Sequence, residues 1–252
     1  DDERQMPLIP IESLDDPRLD VYRDVKAVRH PRWRGHFVAE GSRLVKRLLA
    51  SEFTIESVMI SDGRCDDVQQ RFPEVPVYEL PRALVADLVG YNFHCGAMAC
   101  ALRKPSLQLD DIASRFGQQT TLIVCPDVND PENIGTLIRL GAAFGIDAIL
   151  LGTACADPFS RRVLRVSMGN ALTLPIIRSR DRRADMLRLK SEWGVELAAT
   201  VVETLDPTDE GTQQSVNKAA LAKTHVETLA HTTRRPRLAL LFGNEAHGLG
   251  PE

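Results

Sequence analysis

The chain has 252 residues, a mass of 27.9 kDa and a formal net charge of −4 at pH 7, a length that suits one large domain or two small ones. Hydrophobic residues make up 43% and charged residues 26%, which leaves ample material for a core and excludes wholesale disorder. No apolar run reaches the roughly 18 to 20 residues that span a bilayer, and the polar start DDERQMPLIP lacks the basic and apolar regions of a signal peptide, so the expectation is a cytoplasmic protein without membrane contact.

Residues 1–18 are polar and rich in proline, and are expected to form an N-terminal tail. Apolar residues at helical spacing predict a helix from Leu19 that stops before His30-Pro31. HFVAEG (His36 to Gly41) reads as a strand, and Ser42 to Ser51 as a helix with Ser42 as its N-cap. Ile55 to Ser61 and Val75 to Leu80 read as strands, Pro81 to Gly90 as a helix framed by proline and glycine, and Gly96 to Leu102 as a strand. Residues 19–103 thus form one small alternating α/β domain.

Lys104-Pro105-Ser106 breaks this pattern, and residues 104–118 read as a linker with a short helix from Leu109 to Phe116. The second domain, 119–252, opens with the apolar run TLIVCPDV (Thr121 to Val128), a buried parallel-strand type. Helices then alternate with strands: IGTLIRLGAAFG, AILLG, SRRVLRVSMGN, LTLPII, DRRADMLRLKSEWG and VELAATVV. This order predicts a parallel sheet with helices on both faces. Glu203 to Arg237 reads as a surface insertion with a helix near Ala219 to Leu229, followed by a last strand from Leu238 to Gly243.

Five cysteines without a CxxC pair fit neither a disulfide framework nor a zinc site, and no metal is expected. The net charge conceals two basic stretches: Arg161 to Lys190 holds nine Arg or Lys against Asp181 and Asp185, and Arg18 to Arg47 holds nine against Asp20, Asp24 and Glu40. Such patches on an acidic body suit a polyanion partner such as RNA, with Arg matched to phosphate. Solvated helix faces are the plainer reading.

The dinucleotide fingerprint GxGxxG, the phosphate loop GxxxxGK[ST] and the hydrolase elbow GxSxG are all absent. His247, alone in a glycine-rich turn, is not read as a catalytic base. Two strand-ending loops stand out instead. In DVNDPENIGTLIRLGAAFG (Asp127 to Gly145), Asp130-Pro131 makes a turn, Asn133 can cap the helix, Gly135 permits close approach and Arg139 follows along the helix. In LLFGNEAHGLG (Leu240 to Gly250), three glycines suit a loop that folds its backbone around a ligand.

These loops resemble motifs one and two of the SpoU (TrmH-like) family of RNA ribose 2′-O-methyltransferases, within the SPOUT superfamily. RVSMGNALTLPI (Arg165 to Ile176) resembles the family's Ser-x-Gly segment, while FVAEGSRLVKRLL and HCGAMA resemble its ribosomal-protein-like substrate-binding domain. The resemblance implies an α/β fold with a trefoil-knotted methyltransferase domain, S-adenosylmethionine as cofactor, a homodimer, and methyl transfer to a ribose 2′-hydroxyl of structured RNA, ribosomal rather than transfer RNA. By the motifs it implies catalytic roles for Arg139, Asn133 and Glu245, and cofactor contacts for Thr200, Phe242, Gly243, Asn244, Gly248 and Leu249. RNA contacts fall to Arg43, Arg161, Arg162 and Arg165. The family's third motif, Ser-Leu-Asn-x-Ser, would follow Glu252, so the C-terminal end is expected to be missing. The alternative expectation is a non-catalytic RNA-binding or assembly protein that retains a degenerate form of the fold.

Overall fold

Residues 8–23, 35–61, 74–89, 96–200, 231–244 and 248–249 are described by a computed structural model. They fall into two units, Asp1–Pro105 with Asp157–Thr173, and Ser106–Ala156 with Leu174–Glu252. Among the described residues no helix is long and apolar enough to cross a membrane.

The first unit is built on a mixed five-stranded sheet. Its strands are β1 (Leu8–Pro10), β2 (His36–Glu40), β3 (Ile55–Ser61), β4 (Val77–Leu80) and β5 (Ala97–Leu102), in the spatial order β1-β4-β3-β5-β2. β4 runs parallel to β1 and β3, whereas β5 is antiparallel to β2 and β3. Small and apolar side chains in AMACAL let β5 lie buried between its neighbours. Helix α1 (Asp20–Arg23) buries Val21 and Tyr22, and the Tyr22 hydroxyl lies 2.6 Å from Ser57 Oγ. Helix α2 (Ser42–Leu49) buries Leu44, Val45, Leu48 and Leu49, and α3 (Arg82–Val89) buries Val85 and Leu88.

Two local expectations are corrected in this unit. Residues 8–18 do not form a free tail: β1 joins the sheet edge, Ile11 N–H donates to Glu79 O at 2.9 Å, and Asp16 caps a 3-10 turn, Pro17–Leu19. An edge strand tolerates Pro10 because a missing N–H costs nothing on its open side. Ser42 is the first helical residue, not the cap; the N-cap is Gly41 at φ 98°, a left-handed value that favours glycine.

The larger departure concerns Asp157–Thr173, expected within the second domain and found packed as part of the first unit. Phe159 joins Phe37 and Phe53 in a ring cluster with centroids 5.1 to 5.7 Å apart. Arg103 grips both carboxylate oxygens of Asp157 at 2.9 and 2.6 Å. Helix α6 (Arg161–Val166) buries Val163 and Leu164 and is followed by Met168 and Gly169, both at positive φ. Arg47 donates to Met168 O and Asn170 Oδ1, and a Cβ on Gly169 would stand 2.7 Å from Leu44 Cδ1.

The second unit holds an all-parallel sheet of β6 (Thr120–Cys125), β7 (Ala148–Leu151), β8 (Ile176–Arg178), β9 (Glu196–Ala199) and β10 (Arg237–Leu241), in the order β8-β7-β6-β10-β9. Every residue of β6 is buried, as its continuous apolar pattern requires of a strand covered on both faces. Leu122 and Val124 pack in a cluster with Leu109 and Ile112 of α4 (Leu109–Ala113) and Leu189 of α7 (Arg182–Trp193). Ile123, which alternation puts on the other face, lies 3.4 Å from the Cβ position of Gly141 on α5 (Pro131–Ala143). The strand expected from LTLPII begins only at Ile176, after a 3-10 turn at Asn170–Leu172. The helix expected near 219–229 lies outside the described residues.

Candidate active site

The chain leaves β6 for β7 and then β8 on one side, restarts at the opposite edge with β9, and returns through β10 beside β6. Strand order therefore reverses between β6 and β10. In an open parallel sheet the loops after two such strands diverge and leave a crevice at their carboxyl ends.

Both loops singled out in the sequence begin at that crevice. After β6, the carbonyl of Cys125 accepts from Gly152 N–H at 2.9 Å and from the Cys155 thiol at 3.0 Å. The same sulfur receives the Val128 N–H at 3.3 Å. A Cβ on Gly152 would fall 2.0 Å from Pro126 O, so only glycine lets the loops after β6 and β7 approach this closely. Burial pushes the Cys125 and Cys155 thiols up, and each stays neutral rather than serving as a nucleophile.

Asp130 caps α5, its Oδ1 accepting from Glu132 N–H at 2.7 Å, with Pro131 at the first helical position. Asn133, expected as the cap, instead lies inside the first turn. Arg139 is exposed and Asn133 half-buried. Six helical residues separate them by about 9 Å along the axis and about 120° around it. They share a helix but not a face.

After β10, Phe242 N–H donates to Val124 O at 2.9 Å and extends the ladder by one residue. The chain then closes on itself: Asn244 N–H donates to Gly248 O at 2.9 Å and Gly248 N–H to Asn244 O at 2.7 Å. A Cβ on Gly243 would stand 2.4 Å from Gly248 C, so the narrow neck of this loop demands glycine there. Asn244 Nδ2 donates to Asp127 O at 3.0 Å and ties the second loop to the first. From the end of β9, Thr200 N–H and Oγ1 both donate to Leu241 O, at 3.0 and 2.9 Å. Thr200, Phe242, Gly243, Asn244, Gly248 and Leu249 thus come together at the carboxyl ends of β9 and β10. Glu245 lies outside the described residues.

Arg43, Arg161, Arg162 and Arg165 all belong to the first unit, and Arg161 is half-buried, donating to Tyr22 O at 3.1 Å. The basic stretch 161–190 is divided between the two units. Arg178 donates to Cys155 O at 3.3 Å and Arg182 to Pro126 O at 3.4 Å, both at the crevice, while Arg188 is held between Asp110 and Glu192. Sequence patterns single out neither Arg178, Arg182 nor Gly152. Of these, only Gly152 carries a local signal, a glycine directly after an apolar strand. Among the described residues no group of His, Cys, Asp or Glu could hold a metal ion.

The SpoU rRNA Methylase family model matches residues 120–252. A protein of Mycobacterium bovis named as an uncharacterized tRNA/rRNA methyltransferase is 34% identical over 241 residues, covering 93% of this chain and 76% of its own length. The 23S rRNA (guanosine(2553)-2′-O)-methyltransferase RlmP of Bacillus subtilis is 24% identical over 207 residues, 79% of this chain and 76% of its own. Among solved structures, an AdoMet-bound rRNA methyltransferase from Sinorhizobium meliloti is similar in fold, with a TM-score of 0.75 at 22% identity over 96% of this chain and 84% of that one. With two strand-ending loops that meet where the order of a parallel sheet reverses, and a family match that spans both, the chain belongs to the SpoU rRNA Methylase family and is an RNA methyltransferase.

Proposed function

We propose that the protein transfers a methyl group from S-adenosylmethionine to a ribose 2′-hydroxyl of structured ribosomal RNA. The observation that carries this reading is the joining of the two loops at the crevice through Asn244 and Asp127. The name of the B. subtilis relative, a 2′-O-methyltransferase of 23S rRNA, supports the choice of ribose and of ribosomal RNA. The AdoMet-bound neighbour of the same fold supports the choice of cofactor.

The residues at the crevice fit that cofactor. Half-buried Phe242 and Leu249 offer apolar surface to a flat base. Thr200, Gly243, Asn244 and Gly248 complete the proposed binding set. When bound, the cofactor supplies a methyl already activated on sulfonium, so the protein mainly has to align it with the hydroxyl. Arg139, exposed on α5, is assigned to orienting phosphate and ribose. A guanidinium in a protein is not deprotonated and so is a poor proton acceptor. Asn133, in the first turn of α5, and Glu245, in the second loop, complete the proposed catalytic set. A homodimer is part of the reading, supported by exposed Leu140 and Phe144, which lie about one turn apart at the end of α5.

The test is Arg139→Ala. Incorporation of labelled methyl into ribosomal RNA should be abolished, while cofactor affinity by titration calorimetry stays nearly unchanged. Retained turnover would remove Arg139 from the site. A parent protein that binds no S-adenosylmethionine would overturn the function itself.

A further inference from the structure

In the loop from β6 to α5, four successive carbonyls accept hydrogen bonds from elsewhere in the second unit. Cys125 O accepts from Gly152 N–H at 2.9 Å and from the Cys155 thiol at 3.0 Å, and Pro126 O accepts from Arg182 Nη1 at 3.4 Å. Asp127 O accepts from Asn244 Nδ2 at 3.0 Å, and Val128 O from Ala156 N–H at 3.0 Å. The N–H of buried Val128 donates in turn to the Cys155 sulfur at 3.3 Å. Connecting segments ordinarily run over the surface and leave such groups to water; this one is held residue by residue.

The partners come from two sides. Asn244 belongs to the second loop, after β10. Cys155 follows β7 and Arg182 follows β8, strands that lie on the other side of β6 from β10. Their bonds fall on the residues just before and just after Asp127, so the carbonyl that meets the second loop is fixed from both flanks. Cys155 does this with one sulfur acting as donor and acceptor at once, and without it a buried N–H would lose its partner, which costs more than the bond itself contributes. Arg182 stands at the first position of α7, where a cation opposes the helix dipole, so its contribution is to Pro126 rather than to its own helix. Arg178 backs the arrangement by donating to Cys155 O at 3.3 Å.

We propose that Cys155 and Arg182 are positioning residues for S-adenosylmethionine binding: they brace the first loop so that Asp127 O is already in place for Asn244, which sets the second loop to receive the cofactor. This rests on the reading of the second loop as the cofactor loop. A first loop without the brace samples other positions, and the apparent affinity falls by the fraction of molecules that remain competent.

The test is titration calorimetry of S-adenosylmethionine into the full chain, which needs neither RNA nor turnover. Cys155→Ala and, separately, Arg182→Met should each raise the dissociation constant on the order of tenfold, the scale of one net hydrogen bond, at unchanged stoichiometry. Cys155→Ser, whose hydroxyl also donates and accepts, and Arg182→Lys, which keeps a donor, should recover most of the loss. Arg183→Met, exposed at the next position of α7, should bind as the parent does. In the cofactor-free Cys155→Ala protein, hydrogen exchange should quicken at residues 126–130 while β6 and β7 keep parental protection. A merely structural role would instead lower the stoichiometry at a parental dissociation constant. That pattern, parental affinity in both variants, or serine and lysine variants no better than the alanine and methionine ones, would overturn the proposal. If the dissociation constants shift as expected but the parent transfers no methyl to RNA, the proposed function falls and the positioning role stands. A parent that transfers methyl while both variants bind the cofactor equally well does the reverse, and a parent that binds no cofactor overturns both.

Discussion

At Gly152 a single hydrogen atom in place of a methyl group decides whether two loops can meet. A Cβ there would lie 2.0 Å from a backbone oxygen that cannot rotate away, so the strand ends themselves would have to separate. Gly152→Ala is therefore expected to cost on the order of 3 kcal/mol, toward the upper end of overpacking penalties. It should also weaken S-adenosylmethionine binding, since the carbonyl of Cys125 and the loop after it would move. Chemical denaturation and calorimetry on one sample check both, and an alanine variant with parental stability would contradict the close approach. Residue identity was legible in the sequence where it sets local backbone geometry, at Gly243 in the tight loop after β10. It was not legible where its meaning is distance: Gly152 matters because of Pro126, and nothing near position 152 says that Pro126 is beside it.

Among the elements, alternation of strands and helices was readable because burial leaves a local period, and β6, α5, β7 and α7 fall where that period puts them. Capping was less so. Asp130 outcompetes Asn133 as the cap of α5 because Pro131 fixes the first helical position three residues earlier than a cap at Asn133 would. β1 escaped notice because a three-residue edge strand has too little sequence for any period, and its partner β4 is some seventy residues away. The placement of α6 in the first unit is set by Phe159, Asp157 and Met168, whose partners Phe37, Phe53, Arg103 and Arg47 are remote in sequence. Phe159→Ala tests that placement. Loss of a half-buried ring from the cluster should cost about 2 kcal/mol, less than for a fully buried one. Hydrogen exchange should quicken in β2, α2 and α6 while β6 and β7 keep parental protection. Faster exchange in β6 and β7 alone would assign α6 to the other unit.

Across the whole molecule, a formal charge of −4 describes no actual surface. The basic residues from 161 to 190 include exposed Arg162 and Arg165 on α6, Arg178 and Arg182 donating to backbone carbonyls of the second unit, and Arg188 held in an ion-pair network. A linear charge count merges them because it has no access to which side each faces. Apolar exposure raises a similar question of partners. Phe144 is 81% exposed and Leu140 47%, and a second copy of the chain is the proposed cover. Phe144→Asp with Leu140→Asp should shift the protein from dimer to monomer by sedimentation velocity, with circular dichroism unchanged. A parent that already sediments as a monomer would rule this out.

Because Asp157–Thr173 packs with Asp1–Pro105, the chain passes between the two units three times, and no single cut separates them. A chimaera that exchanges the first unit between relatives at the Pro105–Ser106 junction would leave Phe159, Asp157 and Asn170 facing foreign partners. A working exchange has to carry both pieces. For the same reason Phe37, Phe53, Arg103 and Arg47 have to travel together with positions 157–170, since each of these contacts lies wholly within the first unit.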